Sequence, residues 1–124
     1  MSTVDLTESA FADTIRNHDI VLVDFWAAWC GPCRRFAPIY QAVAEQYPDI
    51  VFGKVDTEAE QALSAQAGIT SIPTLMAFRE GVLVFAQPGA LRAKGLEQLI
   101  GAVRELDMDD VRAQLAVRAG QVDR

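Results

Sequence analysis

The only two cysteines of the chain stand three positions apart, in Cys30-Gly31-Pro32-Cys33. Two thiols at this spacing can close and reopen a disulfide, the two-electron chemistry of thiol–disulfide exchange. The same pair could supply two of the four ligands of a metal site. No second pair exists, however, and His18 is the only imidazole, so one chain cannot complete a zinc site. A purely structural bridge gains little, because closing so short a loop removes little chain entropy. Redox chemistry is the stronger reading, with no metal.

The residues around the pair fit that chemistry. Asp19 to Ala28 (DIVLVDFWAA) is a nearly continuous apolar run, as a strand buried on both faces should be. The cysteines follow it and open a helix, at the strand end where open α/β sheets place their chemistry. A helix start presents unpaired N–H groups and the positive end of the macrodipole, both of which favour a thiolate. Cys30, in the turn, is therefore the expected nucleophile. Cys33, one turn into the helix, is the expected resolving thiol and the more buried of the two. Gly31 is expected to let the backbone bend, and Pro32 suits a first helical position. Arg34 and Arg35 add positive charge in directions the sequence does not show. Asp24 is the one charged residue in the buried strand. Desolvation should raise its pKa and suit it to exchange a proton with Cys33.

The positioning elements follow from periodicity. The 124 residues allow one domain, and 51% of them are apolar, enough for a core. The net charge is −6, which disfavours nucleic acid and anionic membranes as partners, and no apolar run reaches membrane-spanning length. The acidic N-terminal segment shows no secretory signal, so a cytoplasmic location is expected. Thr3 to Leu6 reads as a short strand. Thr7 is an expected N-cap, ahead of Phe11 and Ile15 on one helical face. A helix with Phe36, Ile39, Tyr40, Val43 and Tyr47 stops at Pro48, and Ile50 to Asp56 is a strand. Glu58 to Ala67 reads as a helix closed by Gly68. Strands Thr74–Arg79 and Val82–Ala86 flank the hairpin signal Glu80-Gly81, and Leu96, Leu99, Ile100 and Val103 mark a further helix. The order βαβαβα then ββα predicts an α/β fold with a mixed sheet and helices on both faces.

The segment Asp24-Phe25-Trp26-Ala27-Ala28-Trp29-Cys30-Gly31-Pro32-Cys33 resembles the active-site segment of the thioredoxin family. The resemblance spans about residues 5–106. It includes Pro38 inside the helix, Lys54-Val55-Asp56, Ile72-Pro73-Thr74 and the Gly89-Ala90 turn. It implies a thioredoxin fold with a central five-stranded mixed sheet, and protein-disulfide reductase activity through Cys30 and Cys33 without a bound cofactor. Asp24 then serves proton transfer and Lys54 modulates it. A cis Ile72–Pro73 peptide would face the cysteines and leave the Ile72 backbone free to pair with an extended client segment. Trp29, Gly31, Pro32, Ile72, Pro73, Gly89 and Ala90 are the expected client-binding residues. Disulfide-containing proteins would be the clients, and the NADPH-dependent flavoprotein thioredoxin reductase would restore the dithiol. An oxidase or isomerase is the alternative within enzymes, disfavoured by Gly-Pro between the cysteines; a scaffold that uses only the apolar surface is the alternative outside them.

The chain departs from the family pattern in three places. Ala28 stands where an acidic or polar residue is common, and Pro88 where a β-branched one is. The third is residues 107–124, an extension beyond a domain of residues 1–106. Met108, Val111, Leu115, Ala119 and Val122 form a helical stripe there, with Asp107, Asp109 and Asp110 at its start and Gly120 at its end. That extra C-terminal helix could fold back on its domain, pair with a partner or second copy, or fray. A monomer is expected, with a dimer through the tail as the alternative.

Overall fold

In β2 (Ile20–Trp26), every residue from Ile20 to Phe25 is buried and Trp26 is half-buried. Such a strand must lie in the middle of a sheet covered on both faces. The computed structural model describes residues 2–122, with the side chains of Gln121 and Val122 outside the description. The elements run β1 (Thr3–Asp5), α1 (Glu8–Asn17), β2, α2 (Gly31–Gln46), β3 (Val51–Asp56), α3 (Gln61–Gln66), β4 (Thr74–Arg79), β5 (Val82–Pro88), α4 (Ala93–Arg104) and α5 (Met108–Val122). The sheet order is β1-β3-β2-β4-β5. β1, β3 and β2 are parallel; β4 and β5 are antiparallel additions.

The period of two along β2 divides the core. Ile20 and Leu22 pack with Phe36, Tyr40 and Val43 of α2 and with Leu96, Ile100 and Val103 of α4. Val21, Val23 and Phe25 pack on the other side, with Ile15 of α1 and Leu63 of α3. Successive strand side chains point to opposite faces. Asp24 therefore shares the α2 face with Leu22, below the helix that carries both cysteines.

The turns explain where boundaries differ from the sequence reading. Glu80 and Gly81 both have positive φ, 51° and 80°, as a tight hairpin turn requires. Gly68, at φ 73°, closes α3: its N–H donates to the Ala65 carbonyl and that of Ile69 donates to Ser64. α3 starts at Gln61, not Glu58, because the Asp56 carboxylate accepts the N–H groups of Glu58 and Ala59 and holds a turn. Thr7 does stand at the N-cap of α1 but makes no side-chain capping bond. Its hydroxyl meets Ser9, and the Glu60 carboxylate accepts the Glu8 N–H. Gly31 lies within α2 and is not among the positive-φ residues, so the backbone there demands no glycine.

α5 forms, but among the described side chains its stripe is buried only at the start. Asp107 accepts the N–H groups of Asp109 and Asp110, Met108 is buried, and Arg112 bridges Glu80 at 2.8 Å. From there Leu115 and Val117 are exposed, at 42% and 61%. The 3.6-residue spacing predicted a helix correctly; it did not fix how much of the helix the domain covers. Gly120 lies inside α5, because the helix runs to Val122. The Val122 side chain, residues 123–124 and Met1 lie outside the described residues. A chain ending at Leu106 is expected to fold with a modestly lowered melting temperature and unchanged disulfide reduction, checked by thermal unfolding and an insulin-reduction assay. Loss of reduction by the folded truncated chain would show that α5 belongs to the working part of the fold.

Candidate active site

α2 begins at the cysteine pair. Cys30 is its N-cap, in extended backbone, and Gly31 and Pro32 fill the first turn. The N–H of Cys33 donates to Cys30 Sγ at 3.2 Å, one of the free donors of a helix start directed at the sulfur. Cys30 and Cys33 are joined as a disulfide, with Cα atoms 5.2 Å apart. Both are buried, at 4% and 2% exposure, so burial hardly separates the two sulfurs in this oxidised state. Connectivity separates them better: Cys30 Sγ sits 3.7 Å from the carbonyl oxygen of Ile72, while Cys33 lies inside the helix.

The Ile72–Pro73 peptide is cis. Ile72 precedes the first β4 residue to join the sheet, Thr74, and Pro73 is buried beneath it. Gly89, at φ 108°, donates its N–H to the Pro73 carbonyl at 2.8 Å, which ties the end of β5 to this loop. Trp29 is 66% exposed, yet its indole N–H donates to Glu58 Oε1 at 2.8 Å. Trp29 and Ile72 border one groove of 480 Å³, with Thr57, Glu58 and Ile69 among its other lining residues. Gly89 and Ala90 line a separate, smaller hollow with Leu75 and Leu91. Four of the expected client-binding residues are thus divided between two separate concavities, while Gly31 and Pro73 line neither. Pro32 is exposed and lines neither.

Arg34 turns to the Ala28 carbonyl, donating at 2.9 Å. Arg35 lies over Gly31: a Cβ added at Gly31 would stand 3.4 Å from its Nη1. Beneath the pair, Asp24 is fully buried, and neither carboxylate oxygen has a hydrogen-bond partner among the described residues. Desolvation raises its pKa from 3.8 to about 7, against the opposing pull of Lys54. Lys54 is the cross-strand neighbour of Asp24, but its ammonium stands over the Trp26 ring, 4.6 Å from the centroid. Tyr40 is kept neutral, its pKa pushed well up by burial and then by Asp24, and its hydroxyl donates to the Gly53 carbonyl.

Glu58 escaped the sequence reading, which placed it in a helix. The available signal was Asp56 at a strand end, whose side chain favours a turn two residues on.

A family model described as Thioredoxin matches residues 2–102. The chain belongs to the thioredoxin family. It is 55% identical over 120 residues to the "Putative thioredoxin 2" of Streptomyces coelicolor, covering 97% of this chain and 90% of that one. It is 44% identical over 99 residues to "Thioredoxin C-3" of Corynebacterium nephridii, covering 79% and 68%. Among solved structures, thioredoxin from Plasmodium falciparum superposes with a TM-score of 0.75 at 36% identity, covering 81% and 98%. A mutant thioredoxin from Halobacterium salinarum superposes at 0.78 with 33% identity, covering 84% and 92%. Thioredoxins are disulfide oxidoreductases, and the Cys30–Cys33 disulfide supplies the redox-active pair for dithiol–disulfide exchange in this one. Members of the family act on disulfide-bonded clients and are generally reduced by thioredoxin reductase. Among the described residues no helix is long and apolar enough to cross a membrane.

Proposed function

We propose that this protein is a cytoplasmic protein-disulfide reductase in which Cys30 is the nucleophile and Cys33 the resolving thiol. The observation that carries this assignment is the helix-start N–H of Cys33 directed at Cys30 Sγ, beside the Ile72 carbonyl. In the dithiol form that donor, with the helix dipole, favours the thiolate on Cys30. The thiolate attacks one sulfur of a client disulfide; a Cys30–client bond forms, and the other client sulfur leaves as a thiolate. Asp24 then takes the proton from Cys33, whose thiolate attacks Cys30 Sγ. The mixed bond breaks, the client leaves with two thiols, and the Cys30–Cys33 disulfide holds the oxidising equivalents. The chain itself needs no cofactor for these steps. Thioredoxin reductase, drawing electrons from NADPH through its flavin, returns two electrons and restores the dithiol.

The client segment lies extended beside Ile72 and pairs with its backbone, with Trp29 and Pro32 on one side and Pro73, Gly89 and Ala90 on the other. Gly31 allows close approach, and Lys54 adjusts the proton affinity of Asp24 from its place over Trp26. Residues 1–106 form the catalytic domain, and 107–124 an accessory extension on a monomer. A Cys33→Ser variant, reduced and mixed with a disulfide-bonded protein, is expected to accumulate a covalent adduct that peptide mapping assigns to Cys30. An adduct that never forms would remove Cys30 from the nucleophile's role.

A further inference from the structure

The groove bordered by Trp29 and Ile72 has one electrostatic feature. Of the residues that line it, Glu58 alone is charged; Thr57, Gln61 and Ser64 contribute neutral polar groups, and Ile69 and Ile72 apolar surface. Neither Arg34 nor Arg35 lines it. The neighbouring acids Asp56 and Glu60 do not line it; their carboxylates accept backbone N–H groups of Glu58 and Ala59, and of Glu8. Glu58 carries no ion pair among the described residues.

Its position is set from two directions. Thr57 anchors the turn to β2, with both its N–H and its hydroxyl donating to the Trp26 carbonyl at 2.9 and 3.0 Å. The Glu58 carboxylate in turn accepts the indole N–H of Trp29, the residue next to Cys30. One oxygen fixes an exposed tryptophan at the rim, and the charge stays at the groove wall. A lone carboxylate on an otherwise neutral, partly apolar groove attracts a cationic side chain and repels an anionic one.

We propose that Glu58 is a specificity-determining residue, and that this protein prefers clients with a lysine or arginine in the segment lying along the Trp29–Ile72 groove. The inference rests on the disulfide-exchange function proposed above and adds the client's charge. Attraction of a cation and repulsion of an anion by a partly exposed charge together amount to roughly a tenfold preference.

The test uses the reduced full chain and three synthetic peptide disulfides, identical except for Arg, Gln or Glu flanking the cysteine. Second-order exchange rates are read by stopped flow. The wild-type rate for the Arg peptide is expected to exceed that for the Glu peptide about tenfold at low salt, with the ratio shrinking as salt rises. Glu58→Gln keeps an acceptor for the Trp29 indole and should bring that ratio within twofold of one. Glu58→Lys should invert it, whereas Glu97→Gln, on α4, should leave it unchanged. A ratio that Glu58→Gln does not alter, or that Glu97→Gln alters equally, overturns the inference and leaves the exchange function standing. Failure of the wild type to exchange with any of the peptides contradicts that function and the inference with it.

Discussion

Replacing Cys30 by serine will lower insulin-disulfide reduction by about a thousandfold or more, because a hydroxyl at this position cannot attack a disulfide sulfur at neutral pH. The fold should survive the change. Cys30 caps α2 through its sulfur, and serine is among the residues best suited to that position. Loss of the Cys30–Cys33 disulfide should cost little, since it closes a loop of three residue steps. Circular dichroism and thermal unfolding, measured with the activity, separate a lost nucleophile from a lost fold. Residual activity within tenfold of wild type would contradict the mechanism.

The second large effect concerns Asp24 and has opposite signs on stability and rate. Its pKa is about 7 in the folded oxidised protein and 3.8 in the reference state. Between those values the folded state holds the proton that the unfolded state has lost, so stability falls as pH rises from about 4 to 7 and levels off above. At 1.36 kcal/mol per unit, the ionised buried carboxylate costs about 4 kcal/mol at pH 8. Asp24→Asn removes that cost and should raise unfolding stability by a comparable amount at pH 8, with the difference vanishing below pH 4. Denaturant unfolding of the oxidised proteins at several pH values checks it. The same substitution should slow client release most near pH 7–8, where Cys33 still needs a base and Asp24 has just become one. A pH–rate step near 7 should appear in the wild type and be absent in the Asn variant. A buried residue this costly to stability, next to a redox-active pair, is a candidate for a catalytic role.

These residues differed in how far the sequence disclosed them. The nearly continuous apolar run from Asp19 to Ala28 pointed to a buried Asp24 from the chain alone, because a strand covered on both faces leaves a carboxylate little access to water. The hairpin at Glu80-Gly81 and the closure at Gly68 were equally legible, since few residues tolerate positive φ. The cysteine pair announced its own chemistry. α5 shows the opposite case: a helical stripe reports periodicity, whereas its burial depends on a partner surface that the sequence does not display, and among its described side chains only Met108 is buried and Val111 half-buried. The pairing of Lys54 with Trp26, and of Trp29 with Glu58, depended on side-chain directions across separate elements. Glu58 was hidden for a further reason: helix propensity in Glu58–Ala67 outweighed the turn chemistry of Asp56.

The direction of electron flow is the central claim, and the equilibrium potential of the Cys30–Cys33 couple tests it most directly. A buried, apolar, helix-start disulfide acting as a reductant should equilibrate with glutathione far on the oxidised side. The value of about −270 mV is the reference for thioredoxin itself, not a quantity obtained from this geometry. A potential within about 30 mV of that figure, measured by quantifying dithiol and disulfide across glutathione ratios, is the result predicted for a reductase. A potential near −180 mV or above, in the range of isomerases and oxidants, would contradict it.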